Sequence, residues 1–551
     1  MHSKVPPWPE DFAQRYRDLG YWEGKTFSEK LGELVDRFGD RTAVVDGDVR
    51  LSYRELQDRA ILLAQGLRRN GIGRGNAVLL QLPNCTEFVV AWFALQQVGA
   101  VPVHTQPGHR FAEVDHLAHA TDAVAYITAD TIARFDHLDL ARRVADNNNA
   151  LATVIVVGAL GQYADDRRFV TYTEVAGGSD GAGGSDGAGD PRTSEVSPSD
   201  LAMLLLSGGT TGMPKLIGRT HDDYLYNSRA AGERSRLDSN SVYLAVLPIA
   251  FNYTWNCPGV LGTLTVGGKV VMSRNPDPSV CFGLIEAEGV TMTAINPQLA
   301  PVWLSENSRT TRDLSSLKIL EIGSARLADH VAREIVDQFD CTLQQILGMS
   351  EGLFCATHLD DDAETRCTTQ GVPVSPADEI RVVDAEGNEV ADGEIGELTV
   401  RGPYTPRGYF DAPEHNRKSF SHDGFYRTGD LVRRLPTGHL IVSGRIKDQI
   451  NRGGEKIAAT EVEGFLLAHP DIETVAVVGE SHAGLGERSV AFVVPSGSDA
   501  PSRRDLASFL SDAGLAAYKA PDVVRIIETM PLTPLGKIDK NVLRLELDRV
   551  P

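Results

Sequence analysis

The first 150 residues alternate short apolar runs with helical patterns, and that rhythm constrains the fold more than any other feature of the chain. Residues 41–45, 77–82, 101–105, 123–128 and 153–157 read as strands. Between them, residues 28–38 set Leu31, Leu34, Val35 and Phe38 on one helical face, and 52–69 and 87–98 read as further helices. Ser52 with Glu55 three residues on makes a capping-box start, and Gly71 supplies a stop. Short apolar strands joined by helices imply a mostly parallel sheet covered on both faces.

The chain has 551 residues, enough for three or four folding units. Its 54 Lys and Arg against 75 Asp and Glu leave a net charge of −21. That balance excludes a nucleic-acid binder, which needs a basic face, and an anionic membrane surface as main partner. The start lacks the apolar core of a secretory signal, and no run approaches the length of a membrane span. Six scattered cysteines without a CxxC pair read as reduced thiols of a cytoplasmic protein, not as a zinc site or disulfide frame. Residues 177–191 repeat Gly, Ser, Asp and Ala and read as a flexible surface insertion. A second boundary falls near Gly444, leaving 445–551 for a small separate α+β domain behind a body of residues 1–444.

The chemistry concentrates where an apolar strand, 204–206, runs into Ser207, Gly208, Gly209, Thr210, Thr211, Gly212, Met213, Pro214 and Lys215. Glycines let backbone N–H groups approach an anion, the hydroxyls add donors, and Lys215 adds charge, so the loop is composed as a phosphate cradle. It is not a Walker A loop, because Met213 and Pro214 separate Gly212 from Lys215 and a strand, 216–220, follows in place of a helix.

Further stretches follow in order: Gly323, Ser324 and Ala325; residues 346–351, ending in Glu351; residues 426–430, ending in Asp430; residues 444–457, with Arg445 and Lys447; and residues 531–540, with Lys537. This ordered set resembles the adenylate-forming superfamily of acyl-CoA synthetases, peptide-synthetase adenylation domains and luciferases, over roughly residues 28 to 545. The resemblance implies a large N-terminal α/β body, two sheets sandwiched by helices plus a small β-barrel-like part, followed by a small mobile C-terminal α+β domain. It implies ATP and Mg²⁺ as cofactors and a carboxylate attacking the α-phosphate to give an acyl-adenylate and pyrophosphate. On the matching positions, 207–215 would hold the β- and γ-phosphates. Gly323, Ser324 and Ala325 would line the adenine pocket, and Asp430 and Arg445 would serve the ribose. Glu351 would coordinate Mg²⁺, Lys447 would sit at the hinge, and Lys537 would bridge the carboxylate and the α-phosphate. A cation between two anionic reactants stabilises the transition state, and losing one such group costs about 10²–10³ in rate.

Residues 247–262 resemble the aryl-acid branch, the stand-alone ligases that start catecholate or phenolate siderophores, its mycobactin-type salicylate-loading members in particular. There, a residue at the Asn252 position binds the acid's carboxylate and ortho-hydroxyl region, and Cys257 would lie beside the ring carbon meta to the carboxylate. A thiol is a weak donor that suits an unsubstituted C–H. A Ser would suit a 3-hydroxyl, so salicylate is expected over 2,3-dihydroxybenzoate. Phe251 stands where the branch usually has His, and Tyr253 and Phe354 are expected to complete the pocket. The resemblance implies transfer to the phosphopantetheine thiol of an aryl carrier protein in trans, docked on both domains around 453–456. A 2,3-dihydroxybenzoate-AMP ligase and an aryl- or acyl-CoA ligase are the alternatives.

Overall fold

The computed structural model describes residues 1–177, 196–207, 214–452, 455–482, 484–497, 500–533 and 536–548. The Gly/Ser insertion from residue 178 onward, and Gly208, Gly209, Thr210, Thr211 and Gly212 of the phosphate loop, lie outside the described residues.

Two large sheets carry the body. In the nine-stranded one, Thr42–Asp46, Lys269–Met272, Val242–Ala245, Met292–Ile295, Ile319–Ile322 and Thr342–Gly348 lie side by side in parallel, with antiparallel strands at both edges. In the seven-stranded one, Ala77–Gln81 lies centrally between Val101–His104 and Ala125–Ala129, all parallel. Leu216–Thr220 closes that sheet as an antiparallel edge beside Leu201–Leu206.

The expected helices form. Phe27–Phe38 and Tyr53–Arg69 both begin with reciprocal capping boxes, Thr26 with Glu29 and Ser52 with Glu55. Each box satisfies two otherwise orphaned N–H groups at the helix start. The helix Thr86–Val98 is apolar nearly all round, and every residue except Glu87 is buried. Such a helix belongs inside, and it lies in an apolar cluster that takes Val44 and Val270 from one sheet and Val78, Leu80 and Ile127 from the other. Its Trp92 meets Phe27 and Trp255 edge-on at 4.8 and 5.2 Å between ring centres.

The small β part is a four-stranded antiparallel sheet of Glu379–Val383, Ile395–Arg401, Tyr426–Arg434 and Leu440–Arg445. The last sheet has five strands between Gln449 and Ile526. Period-2 alternation divides its strands: Val475 and Val477 pack under Val462, Leu466, Leu506 and Leu510, whereas Ala476 and Val478 pack against Leu543 and Leu547. Among the described residues no helix is long and apolar enough to cross a membrane.

One contact tests this packing. Gly66 lies on the helix Tyr53–Arg69 so close to Val175 that a methyl group would collide with the Val175 carbonyl, whereas Gly32, on Phe27–Phe38, has only Gln57 Nε2 nearby at 3.7 Å. Gly66→Ala is expected to lose about 1–3 kcal/mol, and Gly32→Ala to gain up to about 1 kcal/mol by removing unfolded-state freedom. Urea unfolding of the two variants should move the midpoint in opposite directions.

Candidate active site

The two ends of the segment expected to bind phosphate are held together. Ser207 N–H donates to the Lys215 carbonyl at 2.9 Å, and Lys215 N–H donates back to Ser207 Oγ at 3.2 Å. This continues the antiparallel ladder that pairs Leu206 with Leu216, so the loop leaves and re-enters the sheet at adjacent points. The Lys215 ammonium lies 5.4 Å from the centre of the Tyr409 ring. The Tyr409 hydroxyl donates to Glu351 Oε1 at 2.8 Å and pairs with the Tyr426 hydroxyl at 2.9 Å. Burial pushes the Glu351 carboxyl above its ordinary range, opposed by Tyr409 and by Arg445.

Asp430 and Arg445 stand opposite each other on the hairpin of Tyr426–Arg434 and Leu440–Arg445, and Arg445 Nε donates to Asp430 Oδ1 at 2.7 Å. Their separation in sequence is the length of two strands plus a turn, which is how a hairpin brings distant residues face to face. The short helix Ile446–Asp448, carrying Lys447, follows directly. Burial and then Arg445 push the Lys447 ammonium below its ordinary value.

Lys537 reaches the same place from the far end of the chain. Its turn is tied by Gly536 N–H to Thr533 O at 2.8 Å and by Lys537 N–H to Thr533 Oγ1 at 3.1 Å. Gly536 has φ +74° and would set a Cβ 3.3 Å from Asn296 Nδ2, so glycine suits both the backbone and the approach. The Lys537 ammonium lies 5.8 Å from the centre of the Phe251 ring. Burial, then the like charges of Arg445 and Lys447, lower its pKa from 10.5 to about 8 against the pull of Asp430.

Beneath Phe251 lies the pocket expected for the acid. Asn252 Oδ1 accepts from the Tyr224 hydroxyl at 2.6 Å, and its Nδ2 lies 3.6 Å from Cys257 Sγ. Burial pushes the Cys257 thiol up and keeps it neutral. Tyr253 donates its hydroxyl to the Ile295 carbonyl at 3.2 Å. A Cβ at Gly323 would collide with the Ile346 side chain and sit 3.3 Å from Tyr253 Cζ, so glycine leaves room for both. Ser324 takes a left-handed φ of +71°, a strain of about 1–3 kcal/mol of the kind held at binding sites, and Ala325 is exposed beside it. Phe354 is buried in the same apolar cluster as Tyr253 and Cys257, against Gly348.

A family model described as AMP-binding enzyme matches residues 32–410, and its C-terminal domain matches 461–537. The chain belongs to the AMP-binding enzyme family. Within this family it is 46% identical over 545 residues to a 2,3-dihydroxybenzoate-AMP ligase of Bacillus subtilis, covering 99% of this chain and 98% of that one. It is 43% identical to a salicyl-AMP ligase / salicyl-S-ArCP synthetase of Mycobacterium tuberculosis, covering 98% and 94%. Among solved structures, apo MbtA of Mycobacterium smegmatis matches with a TM-score of 0.74 at 41% identity, covering 99% of both chains.

Sequence reasoning missed Tyr409, which holds Glu351, Tyr426, which pairs with Tyr409, and Tyr224, which holds Asn252. It also missed Arg219, whose guanidinium donates to Asp223, to the Ser350 carbonyl and to the Tyr404 carbonyl. Tyr426 sits inside the stretch that ends in Asp430, so proximity to a motif was the available signal; the others carry none.

The Lys537 environment has a direct readout. With lysines reductively methylated by ¹³C, the Lys537 resonance should titrate near pH 8, ahead of exposed lysines, and Arg445→Ala should move it upward by removing a like charge. A midpoint at the ordinary 10.5 would contradict the crowded setting described here.

Proposed function

We propose that the protein activates an aryl carboxylic acid, salicylate in preference to 2,3-dihydroxybenzoate, as its acyl-adenylate and passes the aryl group to the phosphopantetheine thiol of a carrier protein in siderophore assembly. The observation that carries this reading is the approach of Lys537 to Phe251, at the mouth of the Asn252–Cys257 pocket, in company with Asp430 and Arg445. Full-length identity to ligases named for salicylate and for 2,3-dihydroxybenzoate supports it.

In this reading the acid lies with its ring toward Cys257 and its carboxylate toward Lys537. A carboxylate oxygen attacks the α-phosphorus of ATP, and the bond to pyrophosphate breaks. Lys537 faces both anions and offsets the charge that builds between them. The loop 207–215 takes the β- and γ-phosphates, Gly323, Ser324 and Ala325 bound the adenine, and Asp430 takes the ribose hydroxyls, with Arg445 beside it. Glu351 is the oxygen donor for Mg²⁺. The donor set fits: Glu351 places one carboxylate beside Tyr409, whose ring neighbours the Lys215 ammonium at the end of the loop, and Mg²⁺ is commonly held by one or two carboxylates completed by substrate phosphates and water. Bound there, Mg²⁺ would supply charge neutralisation on the nucleotide.

We take residues 1–444 as the body and 445–551 as the lobe that brings Lys537, with Lys447 at the hinge. In the second step the carrier thiol attacks the acyl carbon and AMP departs. The carrier acts in trans, docking around 453–456. A cytoplasmic setting suits six unpaired cysteines.

ATP–pyrophosphate exchange tests the reading. Salicylate should surpass 2,3-dihydroxybenzoate, and Cys257→Ser should shift the ratio of kcat/KM toward the dihydroxy acid by ~10-fold, since a hydroxyl can pair with the 3-hydroxyl that a thiol leaves unpaired. Lys537→Ala should lower exchange by about 10²–10³ while ATP binding, followed by calorimetry, changes only a few-fold. Exchange that is equal in wild type and Lys537→Ala would remove the lysine from the mechanism.

A further inference from the structure

The first residues of the chain lie across the strand that follows the 207–215 loop, and the adenylation reading gives them no part. Two glycines there are covered by consecutive residues of this arm. A Cβ at Gly218 would sit 2.7 Å from Val5 Cγ2, and one at Gly408 would sit 2.6 Å from Pro6 Cγ, approaches that leave space for glycine alone. Gly218 lies on the strand Leu216–Thr220, just before Arg219, and Gly408 immediately precedes Tyr409. Val5 also joins Leu201, Leu204, Leu216 and Phe410 in one apolar cluster. The Lys4 carbonyl accepts from Asp411 N–H at 2.8 Å, and the Lys4 ammonium lies 3.3 Å from Asp411 Oδ2.

Residues 403–411 depend on this cover. Pro403, Pro406 and Gly408 suit no regular strand, and among the described residues the segment meets the strand Leu216–Thr220 through one backbone bond, Phe410 N–H to the Leu216 carbonyl at 2.8 Å. The arm holds the segment at both ends: Trp22 Nε1 donates to the Pro403 carbonyl at 2.9 Å, and Lys4, Val5 and Pro6 cover 408–411. Tyr409 N–H donates to Asn416 Oδ1 at 2.7 Å, and the Tyr409 carbonyl accepts from Asn416 Nδ2 at 2.9 Å. Between these ties stands the Tyr409 side chain, with its ring beside the Lys215 ammonium and its hydroxyl on Glu351. Lys215 and the strand that carries Gly218 are contiguous in the chain. Holding 408–411 against that strand therefore sets the reach from Lys215 through Tyr409 to Glu351.

We propose that Val5 and Pro6 are positioning residues for the nucleotide half of the reaction: they clamp 408–411 onto the strand Leu216–Thr220 and so hold Tyr409 between Lys215 and Glu351. The inference rests on the reading above of Lys215 and Glu351 as the phosphate and Mg²⁺ residues. It extends that reading to a segment far outside the motifs, one that touches neither substrate and acts through Tyr409.

The test measures Mg·ATP binding by calorimetry, and the KM values for ATP and for salicylate in pyrophosphate exchange. The variants are Pro6→Gly, Val5→Ala combined with Pro6→Gly, and a chain lacking residues 1–6. Each should weaken Mg·ATP binding and raise the KM for ATP by ~10-fold, the lower end of what a group behind a metal ligand commonly contributes, while the KM for salicylate stays at its wild-type value. Tyr409→Phe should show the same split. Val144→Ala, which opens a cavity elsewhere in the cluster of Val5, should lower the melting temperature and leave both KM values unchanged; this separates positioning from general loosening. Should the shortened chain fail to fold, the point variants decide. Wild-type affinity for Mg·ATP in those variants overturns the proposal, and so does an equal loss of affinity for ATP and salicylate. A wild type that binds no Mg·ATP, or exchanges with no aryl acid, would instead overturn the reading of the site itself, so the two failures are distinguishable.

Discussion

A buried ion pair holds the site together. Arg219 and Asp223 are both fully buried, with Nε to Oδ1 at 2.7 Å. The remaining guanidinium nitrogens bond the carbonyls of Ser350 and Tyr404, and the second Asp223 oxygen accepts from Thr220 N–H and Oγ1. Burial pushes the Asp223 carboxyl up, against the pull of Arg219. Removing one member of such a pair leaves an uncompensated buried charge, at a cost of about 3–5 kcal/mol. The pair's position matters more than its energy. Arg219 lies on the strand that follows the 207–215 loop, Ser350 immediately precedes Glu351, and Asp223 caps the helix His221–Arg234, which carries Tyr224 beneath Asn252. One side-chain pair thus ties the strand that follows the 207–215 loop, the residue before Glu351 and the helix beneath Asn252 into a single register.

Much of the body was legible because local patterns there agree with the tertiary result. The capping box at Ser52 and Glu55, the stop at Gly71 and the strand at Thr153–Val157 all appear as read. Residues 123–128 were read as starting two residues early; the strand is Ala125–Ala129, because Ala123 N–H still bonds back to Ala118 of the preceding helix and Val124 only begins the approach to the neighbouring strand at Ala77. The split of the sheets was not legible. Thr42–Asp46 precedes Ala77–Gln81 in the chain, yet it pairs with Lys269–Met272 in the other sheet. Strand periodicity says which faces are apolar and nothing about which edge a strand joins.

The candidate site divides the same way. Lys537, Asp430, Arg445 and Glu351 were found from motif order, and the fold brings them within reach of one another. Asn252 and Cys257 came from resemblance, and they touch. Phe354 lies in the same buried apolar cluster as Tyr253 and Cys257. Arg219 and Tyr409 escaped because each acquires meaning only once the fold brings its partners in, the Ser350 and Tyr404 carbonyls for one and Glu351 for the other, and such a meeting leaves no mark in a linear pattern.

The hairpin that sets Asp430 against Arg445 also ends in the helix bearing Lys447. The strand Leu440–Arg445 is thus shared by two neighbours: its backbone bonds set Arg445 against Asp430, and its end runs straight into the segment of Lys447 and on to the strand Gln449–Arg452 of the last sheet. A displacement at Asp430 is therefore carried toward the last sheet by the same few backbone hydrogen bonds.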